Sequence, residues 1–456
     1  MRQHIRCGKL FTGLETEERT DQTVIIDDEG RIAHVGATAQ APKPRRGEVV
    51  IDHSDHFAMP GLIDSHVHLS YGNAKTSEDM DLYASVEFRA LRGLYMAQRV
   101  LAAGVTSMID PGNSGRVTPA IRDAIEAGLF DGPRITTTGP YLTSRQGLTD
   151  WYPTWIGVPT TAIGTLVRST EEAIEAIRVQ VKDGVDGIKI AMDGVQTDTR
   201  GRLVAAFTQQ ETAAMVTEAH RLGRFVIVHA RGAEAVLYAA RAGVDIIFHA
   251  SYMDQAGLDA VLEHGSALCP TLTFLRNCAE FTQADEPAFR KGRAAASARE
   301  YDTACTTLRA AREAGAPFLV GTDSGFAVTP YGEWHARELQ IFVEDLGFSP
   351  AEALRCATAD STRFLRQRDD VGALAPSRCA DLVVLDTSPL DDIGILLDRD
   401  RIQRVMLGGT TAEAAPRAYA ERKVSEFGFR NWDNLYTRES VAAAAPPAKK
   451  RRLRAV

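Results

Sequence analysis

From residue 59 to residue 365 the sequence repeats one pattern, in which a short apolar run is followed by a longer amphipathic stretch. Alternation of this kind is typical of β-α units that build a parallel sheet. Several helical stretches end in a glycine, such as Gly184 or Gly243, where a C-cap is expected. The eight apolar runs lie at residues 63–69, 105–110, 134–138, 187–191, 225–229, 245–249, 267–271 and 318–322. Eight strands alternating with helices predict an α/β fold of the (β/α)8 TIM-barrel type, with an open doubly wound sheet as the competing arrangement.

At both ends of the chain the sequence pattern is that of short strands and turns, without the long amphipathic stretches of the middle part. In the first part short strand patterns alternate with turns, and Asp28-Glu29-Gly30 between two apolar runs is a hairpin signature. Strand-then-turn patterns return at residues 381–386 and 402–409. The final residues are rich in alanine and proline and end in a basic run, which is typical of a disordered tail. The predicted division is a small β-sandwich domain of residues 1–58 and 366–441, a barrel of residues 59–365 and a basic tail of residues 442–456.

The composition restricts the partners and the compartment. The net charge of −8 argues against a nucleic-acid-binding surface, and no apolar stretch of 18 residues is present that would cross a membrane. The N-terminal residues lack the apolar core of a secretion signal, and the six cysteines are scattered without a C-x-x-C pair. Both features indicate a cytoplasmic protein with free thiols. Its expected partners are small-molecule substrates, and its aromatic loops and sheet domain favour a homo-oligomer.

Histidine, lysine and aspartate side chains recur at the carboxyl ends of the predicted strands. His66 and His68 are two residues apart, so on a strand they point to the same face and can bind one metal ion. Catalytic groups of a β-α barrel sit at the carboxyl ends of its strands. Taken singly, each residue has an ordinary alternative as a framework histidine, a paired core lysine or a capping aspartate. The candidate metal ligands are His66, His68, Lys189, His229, His249 and Asp323.

With these residues in place, the chain resembles the amidohydrolase superfamily of metal-dependent hydrolases. The resemblance is carried by the stretch 60–68, by Lys189 and the two later histidines, by residues 321–324 and by a closing segment at 371–386. It implies two divalent metal ions, usually zinc. By the resemblance, the first ion is held by His66, His68 and Asp323, the second by His229 and His249, and Lys189 bridges them as N6-carboxylysine after reaction with carbon dioxide.

The implied chemistry assigns catalytic roles to Lys189 and Asp323. An ammonium group cannot bind a metal, whereas a carbamate is an anionic bidentate ligand, and burial between Ile188 and Ile190 would lower the lysine pKa and favour the reactive amine. A metal-bridging hydroxide would attack a carbonyl carbon, and Asp323 would take the proton and pass it to the leaving nitrogen. The implied reaction is hydrolysis of a C–N bond in an amide, urea or carbamate.

The sequence indicates the type of reaction more clearly than it indicates the substrate. It looks like a branch that contains Xaa-Pro dipeptidases, mycotoxin amidases and hydrolases of phenylurea and thiocarbamate herbicides. It departs from the dipeptidases after strand 3, where they usually carry a Gly-His pair and this chain reads Thr138-Gly139-Pro140-Tyr141-Leu142. It departs again at Met192-Asp193-Gly194, where they carry a Ser-Gly-Gly run. The long aromatic loop after strand 3 suits a flat apolar ligand, so a small aromatic substrate is favoured, with an Xaa-Pro-type dipeptidase or carboxypeptidase as the alternative. The predicted substrate-binding residues are Tyr141, Trp151, Trp155, Met192, Arg231, Phe326 and Tyr331.

Two other classes of protein, a deaminase and a non-catalytic scaffold, would be expected to have different sets of metal ligands. A deaminase of the same superfamily typically binds one metal, has a glutamate shortly after the strand-5 histidine and lacks the strand-4 lysine. Here Ala230-Arg231-Gly232 follows His229, and Lys189 is present. A non-catalytic scaffold would be expected to have lost ligands, and this chain retains all six candidates. Both rivals are therefore disfavoured.

Overall fold

The structure is a computed structural model that describes residues 1–194, 197–282, 288–412 and 435–444. Its strands are β1 (Gln3–Leu10), β2 (Arg19–Ile26), β3 (Ile32–Ala37), β4 (Val49–Pro60), β5 (Leu62–Asp64), β6 (Val105–Asp110), β7 (Arg134–Thr137), β8 (Tyr141–Thr143), β9 (Gly164–Leu166), β10 (Gly187–Ala191), β11 (Phe225–Ala230), β12 (Ile246–His249), β13 (Ala267–Cys269), β14 (Leu382–Leu385), β15 (Ile402–Leu407) and β16 (Thr410–Thr411). Its α-helices are α1 (Ser77–Asp81), α2 (Val86–Ala102), α3 (Val117–Glu126), α4 (Thr170–Lys182), α5 (Gln209–Arg221), α6 (Ala233–Arg241), α7 (Gln255–His264), α8 (Leu272–Phe281), α9 (Ala288–Glu313), α10 (Arg337–Glu344), α11 (Pro350–Cys356) and α12 (Arg438–Ala444). Short 3-10 turns lie at Thr38–Gln40, Asp360–Phe364, Ile393–Leu397 and Arg399–Arg401.

Both ends of the chain contribute to one seven-stranded sheet, in the order β16-β15-β14-β4-β1-β2-β3. The predicted hairpin is confirmed, because β2 and β3 pair antiparallel across a turn that Gly30 closes with a φ of 77°. The long strand β4 pairs with β1 on one side and with β14 on the other. Because β4 pairs with strands from both chain ends, the seven strands form one continuous sheet. The predicted two-sheet sandwich is therefore corrected to a single sheet.

The middle of the chain folds into parallel β-α units, and the fold is a TIM-barrel-like α/β fold. Its strands form a three-stranded sheet, β5-β6-β7, and a six-stranded sheet, β13-β12-β11-β10-β8-β9. Two predicted strands, at 105–110 and 187–191, have the predicted bounds. The first strand, predicted over residues 63–69, is shorter in the structure, where β5 ends at Asp64. The pair β8 and β9, inside the aromatic loop, was not predicted.

The eighth predicted strand, at 318–322, makes only an isolated bridge between Phe318 and Leu268. Backbone bonds still tie this segment to both neighbours: the Leu319 N–H donates to the Leu268 carbonyl at 2.9 Å, and the Ser65 N–H donates to the Val320 carbonyl at 2.8 Å. The described strands therefore form two sheets, joined here by a few backbone hydrogen bonds, instead of the predicted closed ring of eight.

Helices cover the parallel strands, and apolar side chains fill the space between the two layers. The predicted helical stretches begin at polar caps, as at Ser169 before α4 and at Thr208 before α5, where Thr208 and Glu211 form a capping box. Ile188, Ile190 and neighbouring strand residues are fully buried in the main core. Among the described residues, no helix combines the length and the apolar character needed to cross a membrane. The predicted basic tail lies outside the described residues beyond Ala444.

Candidate active site

Three of the predicted ligands come together at the carboxyl end of β5. The Nε2 atoms of His66 and His68 are 2.9 Å apart, and each is 3.3 Å from Oδ1 of Asp323. Asp323 has a left-handed φ of 56°, a costly conformation for a residue with a Cβ, which turns its carboxylate towards the two rings. These three donor atoms form a group that could hold one metal ion.

Asp64 joins the two segments that carry these ligands. Its Oδ1 accepts hydrogen bonds from the backbone N–H groups of His66 and Thr322, at 3.0 and 3.1 Å. Its Oδ2 accepts from the Thr322 hydroxyl at 2.5 Å and from Nδ1 of His335 at 2.7 Å. Asp64 therefore holds the first strand of the barrel against the segment that ends in Asp323. Sequence reasoning assigned no role to Asp64 and left His335 as a surface or supporting residue.

The orientation of His68 is fixed from both sides of its ring. Its Nδ1 lies 2.8 Å from the Gly112 carbonyl, and because a carbonyl oxygen can only accept, Nδ1 carries the proton of this contact. The Nε2 lone pair is then free to face Asp323 and His66. The ring stacks on Tyr71 with 4.0 Å between centroids, and the Tyr331 hydroxyl donates to the His68 carbonyl.

His229 and His249 lie side by side at the ends of β11 and β12. Their ring centroids are 4.5 Å apart, and the ring of His249 is 5.7 Å from that of His66. The Thr271 hydroxyl donates to the Pro270 carbonyl, so it accepts from Nδ1 of His249. Nε2 of His249 is then unprotonated, and it is buried without a hydrogen-bond partner among the described residues.

Lys189 lies on β10 between the two groups of ligands. Its side chain is buried, and Nζ lies 3.8 Å from the centre of the Phe248 ring, which itself stacks on His66. Nζ has no hydrogen-bond partner among the residues the structure describes. Burial holds the pKa of the Lys189 amine well below its ordinary value, so the uncharged, nucleophilic form is favoured.

The surroundings lower the pKa of three of the four histidines and raise that of His68. Burial, followed by nearby cationic groups, holds the pKa of His66, His229 and His249 well below the ordinary value. For His68, burial acts in the same direction, but contacts with Asp110 and Asp323 outweigh it and raise the pKa. For Asp323, burial acts to raise the pKa, but its contact with His68 outweighs burial and lowers it. The opposite pKa shifts of His68 and Asp323 therefore reflect the close contact between these two side chains.

The donor set fits a pair of divalent metal ions. Neutral imidazoles and a carboxylate are the ligands that zinc prefers in catalytic sites. Unpartnered buried atoms such as Nε2 of His249 and Nζ of Lys189 are costly unless a ligand satisfies them. The structure thus brings all six predicted ligands into one region, with Lys189 beside both histidine pairs.

An aromatic cluster borders the metal ligands. Tyr71, which stacks on His68, joins it to the site, and Phe326 packs against Tyr71 with 5.3 Å between ring centroids. Three predicted substrate residues, Tyr141, Trp151 and Phe326, belong to it. The buried members of this aromatic cluster are Tyr71, Ala74, Met80, Tyr141, Ile163 and Ala191, with Leu148, Trp151 and Phe326 packed against them.

The structure places four predicted substrate residues elsewhere. Trp155 is 85% exposed, and Met192 is fully buried in the main core beneath the site. Tyr331 is also fully buried and its hydroxyl supports the backbone at His68, so its role is structural. Arg231 is held by the carboxylate of Glu300, with 2.7 Å between Nε and Oε1.

Besides Asp64, sequence reasoning missed three further residues near the site. Tyr71 was overlooked because it lies beyond the His-x-His motif, and only the stacking on His68 reveals it. Asp81 is buried and accepts a 3.0 Å hydrogen bond from Nε1 of Trp151, which anchors the aromatic loop. Asp193 was noted only as a departure from the dipeptidases, yet it lies 3.2 Å from His229.

The fold and the ligand geometry define a TIM-barrel-like hydrolase of the metal-dependent kind. The sequence matches the profile of the Amidohydrolase family over residues 57–412, and the chain belongs to that family. Members of the family generally use a binuclear metal centre with a carboxylated lysine. The resemblance predicted from the sequence is thereby confirmed.

Known proteins of several activities resemble the chain along most of its length. Ochratoxinase of Aspergillus niger is 28% identical over 426 residues, which cover 89% of this chain and 85% of that protein. The crystal structure of an Xaa-Pro dipeptidase with bound methionine in its active site has a TM-score of 0.79 and 28% identity, covering 91% of this chain and all of that one. Phenylurea hydrolase B, with a TM-score of 0.72 and 23% identity, covers 90% of this chain and 96% of its own and shares the fold.

Proposed function

We propose that this protein hydrolyses a C–N bond in a small, aromatic amide, urea or carbamate, with two divalent metal ions as cofactors. The observation that carries the proposal is the convergence of His66, His68 and Asp323, with donor atoms 2.9 to 3.3 Å apart, beside a buried, unpartnered lysine. His66, His68 and Asp323 would hold the first ion, and His229 and His249 the second. Zinc fits this set of imidazoles and carboxylates.

Bound ions of this kind would supply a water molecule that ionises near neutral pH and would polarise the carbonyl group of the substrate. Asp323 sits where it can accept the proton released from that water and deliver it to the leaving nitrogen. Its carboxylate is fixed by its own strained backbone and by the two histidines. The Nε2 atoms of His66 and His68 both face this carboxylate.

Lys189 is proposed to carry carbon dioxide as N6-carboxylysine and to bridge the two ions. A depressed pKa leaves the amine free to attack carbon dioxide, forming the N–C bond and releasing a proton. The product is an anion with two oxygens, which suits a position between two cations. Without this step, the buried Nζ would remain unpartnered against the face of Phe248.

The aromatic cluster supports a neutral, apolar substrate. Tyr71, Trp151 and Phe326 offer ring faces and edges next to the metal ligands. Two arginines that could otherwise bind a substrate anion are already paired with acids: Arg231 with Glu300, and Arg276 with Glu280, Glu344 and Asp345. A substrate carboxylate would have to compete with these acids for its partner.

A second candidate is hydrolysis of a dipeptide of the Xaa-Pro type. The overall similarity to an Xaa-Pro dipeptidase, with a TM-score of 0.79, favours it. Against it stand the acid-paired arginines and the aromatic wall around Tyr141. Deamination is a weaker candidate, because the lysine and the two histidine pairs together match a binuclear centre.

The test is a substrate panel together with metal counting. Metal-replete protein, supplied with bicarbonate, is assayed against N-acyl anilines, aryl ureas, aryl carbamates and dipeptides. Two ions per chain and turnover of the aryl compounds support the proposal. Preference for dipeptides moves the assignment to the second candidate, one ion per chain with ammonia release points to deamination, and absence of metal and turnover contradicts hydrolysis.

We also propose a cytoplasmic location and a homo-oligomeric state. All six cysteines are free, and five of them are buried, which suits a reducing compartment. Exposed apolar side chains such as Leu91, 70% exposed, and Ile156, 63% exposed, support an interface between copies of the chain. Sedimentation of the purified protein tests the oligomeric state.

A further inference from the structure

A buried aspartate lies just behind one of the proposed ligands. Asp193 follows β10, four residues after Lys189, and has no solvent-exposed surface. Its Oδ2 accepts hydrogen bonds from the backbone N–H groups of Arg231 and Gly232, both at 2.7 Å. These residues directly follow β11, the strand that carries His229. One carboxylate oxygen therefore fixes the backbone next to His229.

The other carboxylate oxygen faces the imidazole itself. Oδ1 of Asp193 lies 3.2 Å from Nε2 of His229, and neither atom has a hydrogen-bond partner among the described residues. The distance is that of a hydrogen bond, but the alignment of the two groups is not. The guanidinium of Arg231 does not compete for this oxygen, because Glu300 holds it and also accepts from the Ser251 hydroxyl at 2.8 Å.

We infer that Asp193 is a positioning residue for the second metal ion: it accepts the Nε2 proton of His229 and leaves Nδ1 of that ring as the metal-binding nitrogen. The inference rests on the proposed function, since it assumes that His229 is a ligand. A histidine that binds a metal usually donates its other ring proton to a carboxylate or carbonyl, which fixes the tautomer and strengthens the ligand. His68 has such a partner in the Gly112 carbonyl, and His249 has one in Thr271.

The second acceptor oxygen of Asp193, the one that faces His229, is what distinguishes this role from a purely structural one. An asparagine has the same shape, and its amide oxygen can still accept from the Arg231 and Gly232 N–H groups. Its NH2 group would then face Nε2 of His229 and donate to it. Nε2 would become an acceptor, the ring proton would move to Nδ1, and the nitrogen that faces the metal would be blocked.

The experiment compares metal binding by the wild-type chain, Asp193→Asn and a matched control. The control is Asp245→Asn, because Asp245 also contacts a histidine Nε2, that of His220 at 2.7 Å, and a backbone N–H, that of Val226. Its strand end lies away from the metal ligands. Metal-free protein is titrated with Zn²⁺ and with Co²⁺ in bicarbonate, and bound ions are counted after equilibrium dialysis.

We expect Asp193→Asn to weaken binding of one of the two ions by about 10- to 100-fold and to leave the other unchanged, with Asp245→Asn like the wild type. Wild-type affinity for both ions in Asp193→Asn would overturn the inference and leave the proposed function intact. A wild-type chain that binds no second ion would overturn the proposed function and the inference together.

A second measurement covers the case in which Asp193→Asn does not fold. Long-range ¹H–¹⁵N spectra of metal-free wild-type protein with labelled histidine report which ring nitrogen carries the proton, and His229→Gln assigns the signal. Protonation at Nε2 of His229 supports the inference. Protonation at Nδ1 overturns it.

Discussion

Nδ1 of His335 donates a hydrogen bond of 2.7 Å to Oδ2 of Asp64, across 271 residues of sequence. Nε2 of the same ring accepts from the Gly332 N–H at 2.9 Å, so the imidazole is used on both sides. Asp64 in turn holds the backbone of His66 and of Thr322. His335 therefore supports the backbone of the first proposed metal ligands through one buried carboxylate.

Replacing His335 should damage both stability and metal binding. In His335→Ala, Oδ2 of Asp64 loses a partner and the Gly332 N–H is left unpaired in a buried place. We expect the free energy of unfolding to fall by at least about 2 kcal/mol and the first ion to bind more weakly. Urea denaturation and metal titration measure the two effects. His264→Ala, at an exposed helix end, is the control and should change neither.

Removing the proposed bridge should remove activity. Lys189→Ala is expected to lose hydrolysis of the substrate that the panel identifies and to hold less metal, because no carbamate can form between the two ions. Acetate or propionate should restore part of the activity by supplying a carboxylate in the same place. Lys182→Ala, an exposed lysine at the end of α4, serves as the control. Full activity in Lys189→Ala would exclude the bridge.

The carboxylate of Asp323 is expected to be needed for turnover. Asp323→Asn keeps the shape of the side chain but cannot accept a proton from water. We expect kcat to fall by at least about 100-fold through loss of general acid–base catalysis. Metal content is measured in the same samples, so that a loss of the ion is separated from a loss of proton transfer. A variant with near wild-type kcat would exclude Asp323 from the proton path.

Glu338 should make stability depend on pH. This residue of α10 is fully buried, its carboxylate accepts from the Leu272 and Thr273 N–H groups at the start of α8, and burial raises its pKa to about 7. A carboxyl group with a raised pKa stabilises the fold below its unfolded pKa, and that contribution is lost as pH rises towards 7. Between pH 5 and pH 8 the wild type should lose up to about 3 kcal/mol more than Glu338→Gln. Urea denaturation of both chains at the two pH values measures the free energy of unfolding. An equal change between the two pH values in both chains would contradict the prediction.

The clustering of the candidate ligands was predictable because each lies in, or just after, a short apolar run that is visible in the sequence. Their supports were not, since Asp64 and His335 are far apart in the chain and neither stands in a periodic pattern. The eighth strand was overpredicted for a similar reason. The run at 318–322 is apolar, but the backbone turns at Asp323, and the segment makes isolated bridges to its neighbours instead of a continuous ladder.

The two tryptophans of the aromatic loop differ in their surroundings, and we expect only one of them to contact the substrate. Trp151 packs against the aromatic cluster and its Nε1 donates to Asp81 at 3.0 Å, whereas Trp155 is 85% exposed. Trp151→Ala should raise KM for an aryl amide or urea by about 10-fold or more, because an aromatic wall of the pocket is lost. Trp155→Ala should stay within about 2-fold of the wild type, as is usual for an exposed side chain. Steady-state kinetics on one aryl substrate compare the two variants directly. If Trp155→Ala raised KM as much as Trp151→Ala, the substrate would have to lie further out along the loop than the aromatic cluster.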